Sequence, residues 1–257
     1  MAGAVSGNFA AKPLTLDVFR RQRSADASIR LRRRIVTSTR TRYNKNVRVK
    51  SADCATNMQV IICTLEEALG RPVVFVIDML NDCFCHAELD GMRAALCASI
   101  NHLTALARAK GFPVVWVRQE FESDLSDAFL DMRRENIRMF IKGTRGPLIL
   151  DELVREDSDI EVVKKRYSIF YGTGLESLLR DLEADSLILA GVNSHACIRT
   201  AAIDAYQRDI PVTIVRECVA SKDLQHHEIT MDYMDGGIAT LVTLNELQSQ
   251  FNAEHAA

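Results

Sequence analysis

Residues 186–197 read Ser186-Leu187-Ile188-Leu189-Ala190-Gly191-Val192-Asn193-Ser194-His195-Ala196-Cys197. Where this stretch changes character decides the fold. Ser186 to Val192 is a short, continuous apolar run, the pattern of a strand buried on both faces. From about His195 to Arg208 the pattern turns helical. A buried strand feeding a helix is half of a βαβ unit, and the alternation repeats in both directions. Upstream lie VVFVIDM (Val73 to Met79), PVVWVR (Pro113 to Arg118) and IEVVKK (Ile160 to Lys165). Between them the spacing predicts a helix from about Leu89 to Lys110, ended by Gly111, and another over 124–140, followed by a loop from Gly143 to Pro147. Gly174 to Glu183 reads as a third helix. Downstream come PVTIVRE (Pro211 to Glu217), a helix over 226–235 and ATLVT (Ala239 to Thr243). Six strands alternating with helices predict an α/β chain: a three-layer α/β/α Rossmann-like domain with a six-stranded parallel sheet.

Composition agrees. The chain has 257 residues, 47% of them hydrophobic and 26% charged, which is ordinary for a globular protein and excludes a mainly disordered or fibrous chain. No run of about 18 uncharged apolar residues exists, so no membrane partner is expected. The net charge of -2 hides an asymmetry. Residues 1–50 carry 13 basic and two acidic side chains, a net +11, and the remaining 207 carry 19 basic against 32 acidic, a net -13. A body of that sign is not expected to bind nucleic acid. Residues 1–57 lack an apolar period and are set apart as a basic, disordered extension before a single domain over 58–257. Three readings stay open for them: a tail or upstream read-through before Met58, an organellar transit peptide, or an electrostatic arm. The seven irregularly spaced cysteines suggest reduced thiols in a cytoplasmic setting.

Ligands in such sheets bind at the carboxyl ends of the strands. Three chemistry-bearing residues are placed there: Asp78 at the end of the first strand, Lys164 near the end of the third and Cys197 just past the fourth. Singly, such residues cap loops, face solvent or fill cores. Together they form a nucleophile, a base and a cation. A thiol at a helix N-terminus is expected to have a lowered pKa, and a nearby ammonium lowers it further. A carboxylate can take the thiol proton and return it to a leaving amine.

Three segments in this order resemble the isochorismatase-like cysteine hydrolases: Val76-Ile77-Asp78-Met79-Leu80-Asn81-Asp82, Lys164-Lys165-Arg166-Tyr167-Ser168-Ile169-Phe170 and Gly191-Val192-Asn193-Ser194-His195-Ala196-Cys197. The resemblance covers about residues 71–250. It implies a catalytic triad of Asp78, Lys164 and Cys197, a cis peptide at Val192–Asn193, and an oxyanion hole from the backbone N–H groups of Asn193 and Cys197. Phe84, Arg166, Tyr167 and His195 are implied as substrate contacts, although Arg166 and Tyr167 could equally hold the strand end. The implied reaction is hydrolysis of a C–N bond in a small amide, carbamoyl or ureido compound. The alternatives are vinyl-ether hydrolysis of the isochorismatase type, or a non-catalytic or nucleic-acid-associated protein of the same fold. A dimer or tetramer is the family expectation. Arg118 to Asp124 contains no histidine where the nicotinamidase members carry their metal motif, so neither a metal nor another cofactor is expected.

Other clusters carry less. Cys83-x-Cys85-His86 has poor zinc spacing and reads as small residues beside the pocket, with oxidation of Cys83 against Cys197 a further idea. His226-His227 reads as a solvated helix start.

Overall fold

The computed structural model describes residues 70–253. The extension expected over 1–57 lies outside the described residues. Strands β1 (Pro72–Ile77), β2 (Val114–Gln119), β3 (Ile160–Lys164), β4 (Ser186–Gly191), β5 (Val212–Val219) and β6 (Thr240–Val242) form one sheet in the order β3-β2-β1-β4-β5-β6. Every neighbouring pair is parallel. Helices α1 (Ala87–Ala109), α2 (Leu130–Glu135), α3 (Leu175–Asp181), α4 (Arg199–Tyr206), α5 (Leu224–Met234) and α6 (Leu244–Ala253) complete the described elements.

The central strands are apolar on both faces because both faces are covered. In β1, Val74 and Val76 pack with Leu96, Ile100 and Leu103 of α1 and with Leu247 and Phe251 of α6. The alternate residues Val73, Phe75 and Ile77 pack on the opposite face with Leu175 and Leu179 of α3, Ala201 and Ala205 of α4, and Met231 and Met234 of α5. This is the three-layer arrangement. No helix among the described residues is long and apolar enough to cross a membrane.

Two expectations change. The helix expected over 124–140 is only the six residues of α2. Leu125, Asn136 and Phe140 have φ of 61°, 51° and 57°, a left-handed conformation that interrupts a helix. The apolar residues that suggested a helical stripe instead form a small separate core: Phe121, Leu125, Ala128 and Ile141, with Phe129, Met132 and Phe140 against it. The second change is at Cys197. A π-type turn, Ser194–Ile198, separates β4 from α4, so the cysteine sits in an irregular turn and not in the first turn of the helix.

Candidate active site

The strand order reverses direction between β1 and β4, and the chain leaving each strand there opens a crevice at the carboxyl end of the sheet. The backbones approach closely at that point. Ile77 is in register with Gly191, and Val192 N–H donates to Ile77 O at 2.9 Å. A Cβ on Gly191 would lie 2.0 Å from Ile77 O, and its φ is +115°, so only glycine fits. Immediately beyond, Asp78 has φ 55° and the Val192–Asn193 peptide is cis, as the resemblance implied. These turns aim Asp78 and Cys197 at the same point.

Lys164 reaches it from β3, two strands away. Its ammonium lies 2.7 Å from Asp78 Oδ2, and it donates to Gln119 Oε1 at 2.8 Å, Arg166 O at 3.1 Å and Cys197 Sγ at 3.4 Å. Lys164 is 0% exposed, Asp78 3% and Cys197 5%. The structure thus brings the three expected residues into one contact. Burial acts to lower the Lys164 pKa, but the negative partners Asp78 and Cys197 and their hydrogen bonds outweigh it, and the ammonium stays protonated. Asp78 Oδ1 is buried without a hydrogen-bond partner.

The thiol corrects a sequence expectation. Burial pushes the Cys197 pKa far up, the Asp78 charge pushes it further, and Lys164 only partly opposes them. The amide dipoles of a helix N-terminus were expected to lower it, but burial next to a carboxylate dominates. Cys197 therefore rests as a thiol, beside a carboxylate whose Oδ1 has no hydrogen-bond partner among the described residues.

A cavity of about 370 Å³ opens over this group, lined by Asp78, Gln119 and Cys197 at its base and by Asn193, His195 and Ala196 along the turn. Phe129, Met132, Ile137, Met139 and Phe140 supply an apolar wall, with Tyr167 beside them. Tyr167 packs on Phe129 at 4.9 Å. Of the expected substrate contacts, Tyr167 and His195 line the cavity and Phe84 and Arg166 do not. Phe84 is buried in the core against α1. Arg166 holds the strand end: its guanidinium donates to Asp127 O at 2.8 Å and Lys165 O at 2.6 Å, over the Phe129 ring.

The apolar wall is anchored by Asp82. Its Oδ2 accepts from Phe140 N–H at 2.6 Å, and its own N–H donates to Gly146 O at 3.1 Å. A Cβ on Gly146 would lie 2.1 Å from that carboxylate. Sequence reasoning missed this wall because its residues come from a region read as helix. Gln119 was missed too, although its place at the end of a buried strand was a usable signal.

His226 is the exposed helix start that the sequence suggested, paired with the N-cap Asp223, whereas His227 is half-buried. His227 Nδ1 pairs with Ser194 Oγ at 2.8 Å, and His226 lies ring to ring with His195 at 5.7 Å. His195 Nδ1 pairs with Ser221 Oγ at 2.6 Å, which fixes the ring on the cavity, and burial lowers its pKa. Cys83 lines the cavity as a buried thiol, with its pKa raised by burial and by Asp78. Among the described residues, no group of three or more His, Cys, Asp or Glu side chains is arranged to hold a metal ion.

Known proteins share this architecture. An N-carbamoylsarcosine amidase from Thermoplasma acidophilum superposes with a TM-score of 0.59 at 28% identity, covering 68% of this chain and 96% of that one. An isochorismatase family protein from Desulfovibrio vulgaris gives 0.64 at 28% identity, covering 73% and 99%. By sequence, an Arabidopsis thaliana protein described as a probable inactive nicotinamidase is 31% identical over 191 residues, 71% of this chain and 97% of its own. A ureidoacrylate amidohydrolase of Methylorubrum extorquens is 33% identical over 126 residues, 43% of this chain and about half of its own length, 51%. A family profile described as the isochorismatase domain matches residues 72–246, from the first residue of β1 into α6 and so across every strand that builds the crevice. With its parallel sheet, its switch-point cysteine and this span of similarity, the chain belongs to the isochorismatase family.

Proposed function

We propose that the chain is a cysteine-dependent hydrolase that cleaves the C–N bond of a small amide, carbamoyl or ureido compound through a thioester on Cys197. The observation that carries this reading is the buried contact of Asp78, Lys164 and Cys197 at the base of the cavity. Family membership and the amidohydrolase and amidase relatives support it.

The steps follow from the groups present. Asp78 takes the Cys197 proton on its unpartnered oxygen, and the sulfur attacks the substrate carbonyl carbon. The backbone N–H groups of Asn193 and Cys197 receive the developing oxyanion. One such donor is worth about 3 kcal/mol in the transition state. The C–N bond breaks as Asp78 returns the proton to the departing nitrogen. Water then gives a proton to Asp78, adds to the thioester and releases the acid, and the proton returns to sulfur. Lys164 holds Asp78 in place and offsets the negative charge that passes between carboxylate and sulfur. Vinyl-ether hydrolysis needs an acid but no nucleophile, so a buried thiol set against that acid favours the amide reading.

The test is ammonia release across a panel of small amides, carbamates and ureas by the parent protein and by Cys197→Ala, with mass spectrometry of the rapidly quenched enzyme. Turnover by the parent alone, with an acyl mass on the Cys197 peptide, is expected. Equal turnover by the alanine variant would overturn the mechanism.

A further inference from the structure

Ser194–Ile198, which carries the nucleophile, is a single π-type turn. The regular ladder of an α-helix therefore does not fix its N–H groups, and the turn needs support from outside. That support comes from the segment after β5. Ser194 N–H donates to Ala220 O at 2.8 Å, Asn193 Oδ1 accepts from Lys222 N–H at 2.9 Å, and His195 pairs with Ser221. Among the described residues, one side-chain hydrogen bond ties the turn to a helix: Ser194 Oγ to His227 Nδ1 of α5. Ser194 is buried, and its hydroxyl has no second partner among the described residues. The hydroxyl therefore donates, Nδ1 accepts, and the imidazole carries its proton on Nε2. Burial lowers the His227 pKa, with Glu228 opposing, which keeps the ring neutral at pH 7. The residue is also firmly placed. Its N–H donates to Asp223 O at 2.9 Å in the first turn of α5, and Thr230, Met231 and Met234 bury that helix. His227 does not line the cavity over Cys197; it lies beside Arg216, Glu228, Met231 and Asp232.

We propose that His227 is a positioning residue for the oxyanion hole: through Ser194 it fixes the turn that presents the Asn193 and Cys197 N–H groups to the reacting carbonyl. It touches neither substrate nor sulfur. Its contribution is geometric, because donors aimed at a developing oxyanion lose much of their effect when displaced by a fraction of an ångström. This assignment rests on the hydrolase reading, and the experiment separates the two.

Two reagents separate the oxyanion hole from the thiol. p-Nitrophenyl acetate acetylates the sulfur through a tetrahedral oxyanion and releases p-nitrophenolate. Iodoacetamide alkylates the same sulfur at a saturated carbon, releases iodide and forms no oxyanion. Both rates are read at Cys197 by peptide mass. In His227→Ala the acetylation-to-alkylation ratio is expected to fall about tenfold, part of the ~10²–10³-fold that removing a whole oxyanion donor costs. His227→Asn is expected to recover most of the loss, because Asn Oδ1 stands two bonds from Cβ, as Nδ1 does, and accepts in its place. Ser194→Ala is expected to match His227→Ala, and the double variant to fall no further, since both break one link. A general loosening of the fold would instead move the two rates together. An unchanged ratio in His227→Ala, a parallel fall in both rates, no recovery in His227→Asn, or additive losses in the double variant would each overturn the assignment. A parent whose Cys197 takes no acetyl group would overturn it together with the oxyanion hole it serves. Failure of the hydrolase reading shows separately, as no ammonia release from any panel compound.

Discussion

A buried carboxylate and a buried ammonium 2.7 Å apart stabilise each other only while both are present. Lys164→Met leaves Asp78 charged, buried and without its partner. It is expected to destabilise the fold by about 3–5 kcal/mol as well as abolish turnover. Adding Asp78→Asn removes the stranded charge, so the double variant is expected to be more stable than Lys164→Met alone in urea unfolding. If the two losses simply add, the pair is not coupled in the way the geometry requires. Cys197→Ala removes only a thiol and is expected to keep the fold while losing all turnover. The same residues mark what was legible in the sequence. Asp78, Lys164 and Cys197 were findable because strand ends point chemistry into one crevice. The rise in the thiol pKa was not, because it depends on burial and on a neighbour 119 positions away in the chain. Phe84 illustrates the reverse: next to the motif in sequence, it turns into the core.

Among the elements, β1 and β4 matter most because their meeting point holds the site. Gly191→Ala would drive a methyl into Ile77 O at a φ that L-residues rarely adopt. More than about 2 kcal/mol of stability and nearly all activity are expected to go. Gly91 in α1 is the contrast: nothing lies within 4 Å of an added Cβ, and the residue is helical. Gly91→Ala is expected to stabilise by up to about 1 kcal/mol, with kcat unchanged. Chemical unfolding of both variants checks the pair, and a stable, active Gly191→Ala would contradict the close approach. The strands were legible because both faces are buried and each reads as an apolar run. Helix α2 was not, because an apolar stripe does not reveal whether it faces the sheet or a local cluster around Phe121. Helix α6 had a signal that the strand-by-strand reading passed over: Leu244, Leu247 and Phe251 stand at helical spacing, and all three are buried.

Over the whole molecule, the described cysteines except Cys85 are buried, and that sets how the fold answers alkali. Burial, with a smaller push from Glu152, raises the Cys97 pKa to about 11. Burial, helped by Glu217, raises that of Cys218 to about 12. In the unfolded chain both titrate near 9.0. Above that pH the unfolded state gives up protons that the folded state keeps, so the unfolded state binds fewer protons and stability falls as pH rises. Each thiol contributes a slope of at most about 1.4 kcal/mol per pH unit, ending near pH 11 for Cys97 and pH 12 for Cys218. Cys197 acts in the same direction. The raised Lys164 joins above its ordinary 10.5, since its stabilising charge is lost as pH climbs through the folded value. Urea unfolding at pH 8 and pH 10.5 is therefore expected to show a loss of several kcal/mol in the parent. Cys218→Ala removes one titrating thiol and leaves a small cavity whose cost is the same at both pH values, so the difference between the two measurements isolates the proton effect. That difference is expected to shrink by about 2 kcal/mol in the variant, 1.5 pH units above the unfolded thiol's pKa at the full slope. A parent whose stability is flat between the two pH values, or a variant that loses as much as the parent, would mean that Cys218 ionises in the folded chain as readily as in the unfolded one, and that the core around β5 is wetter than its packing shows.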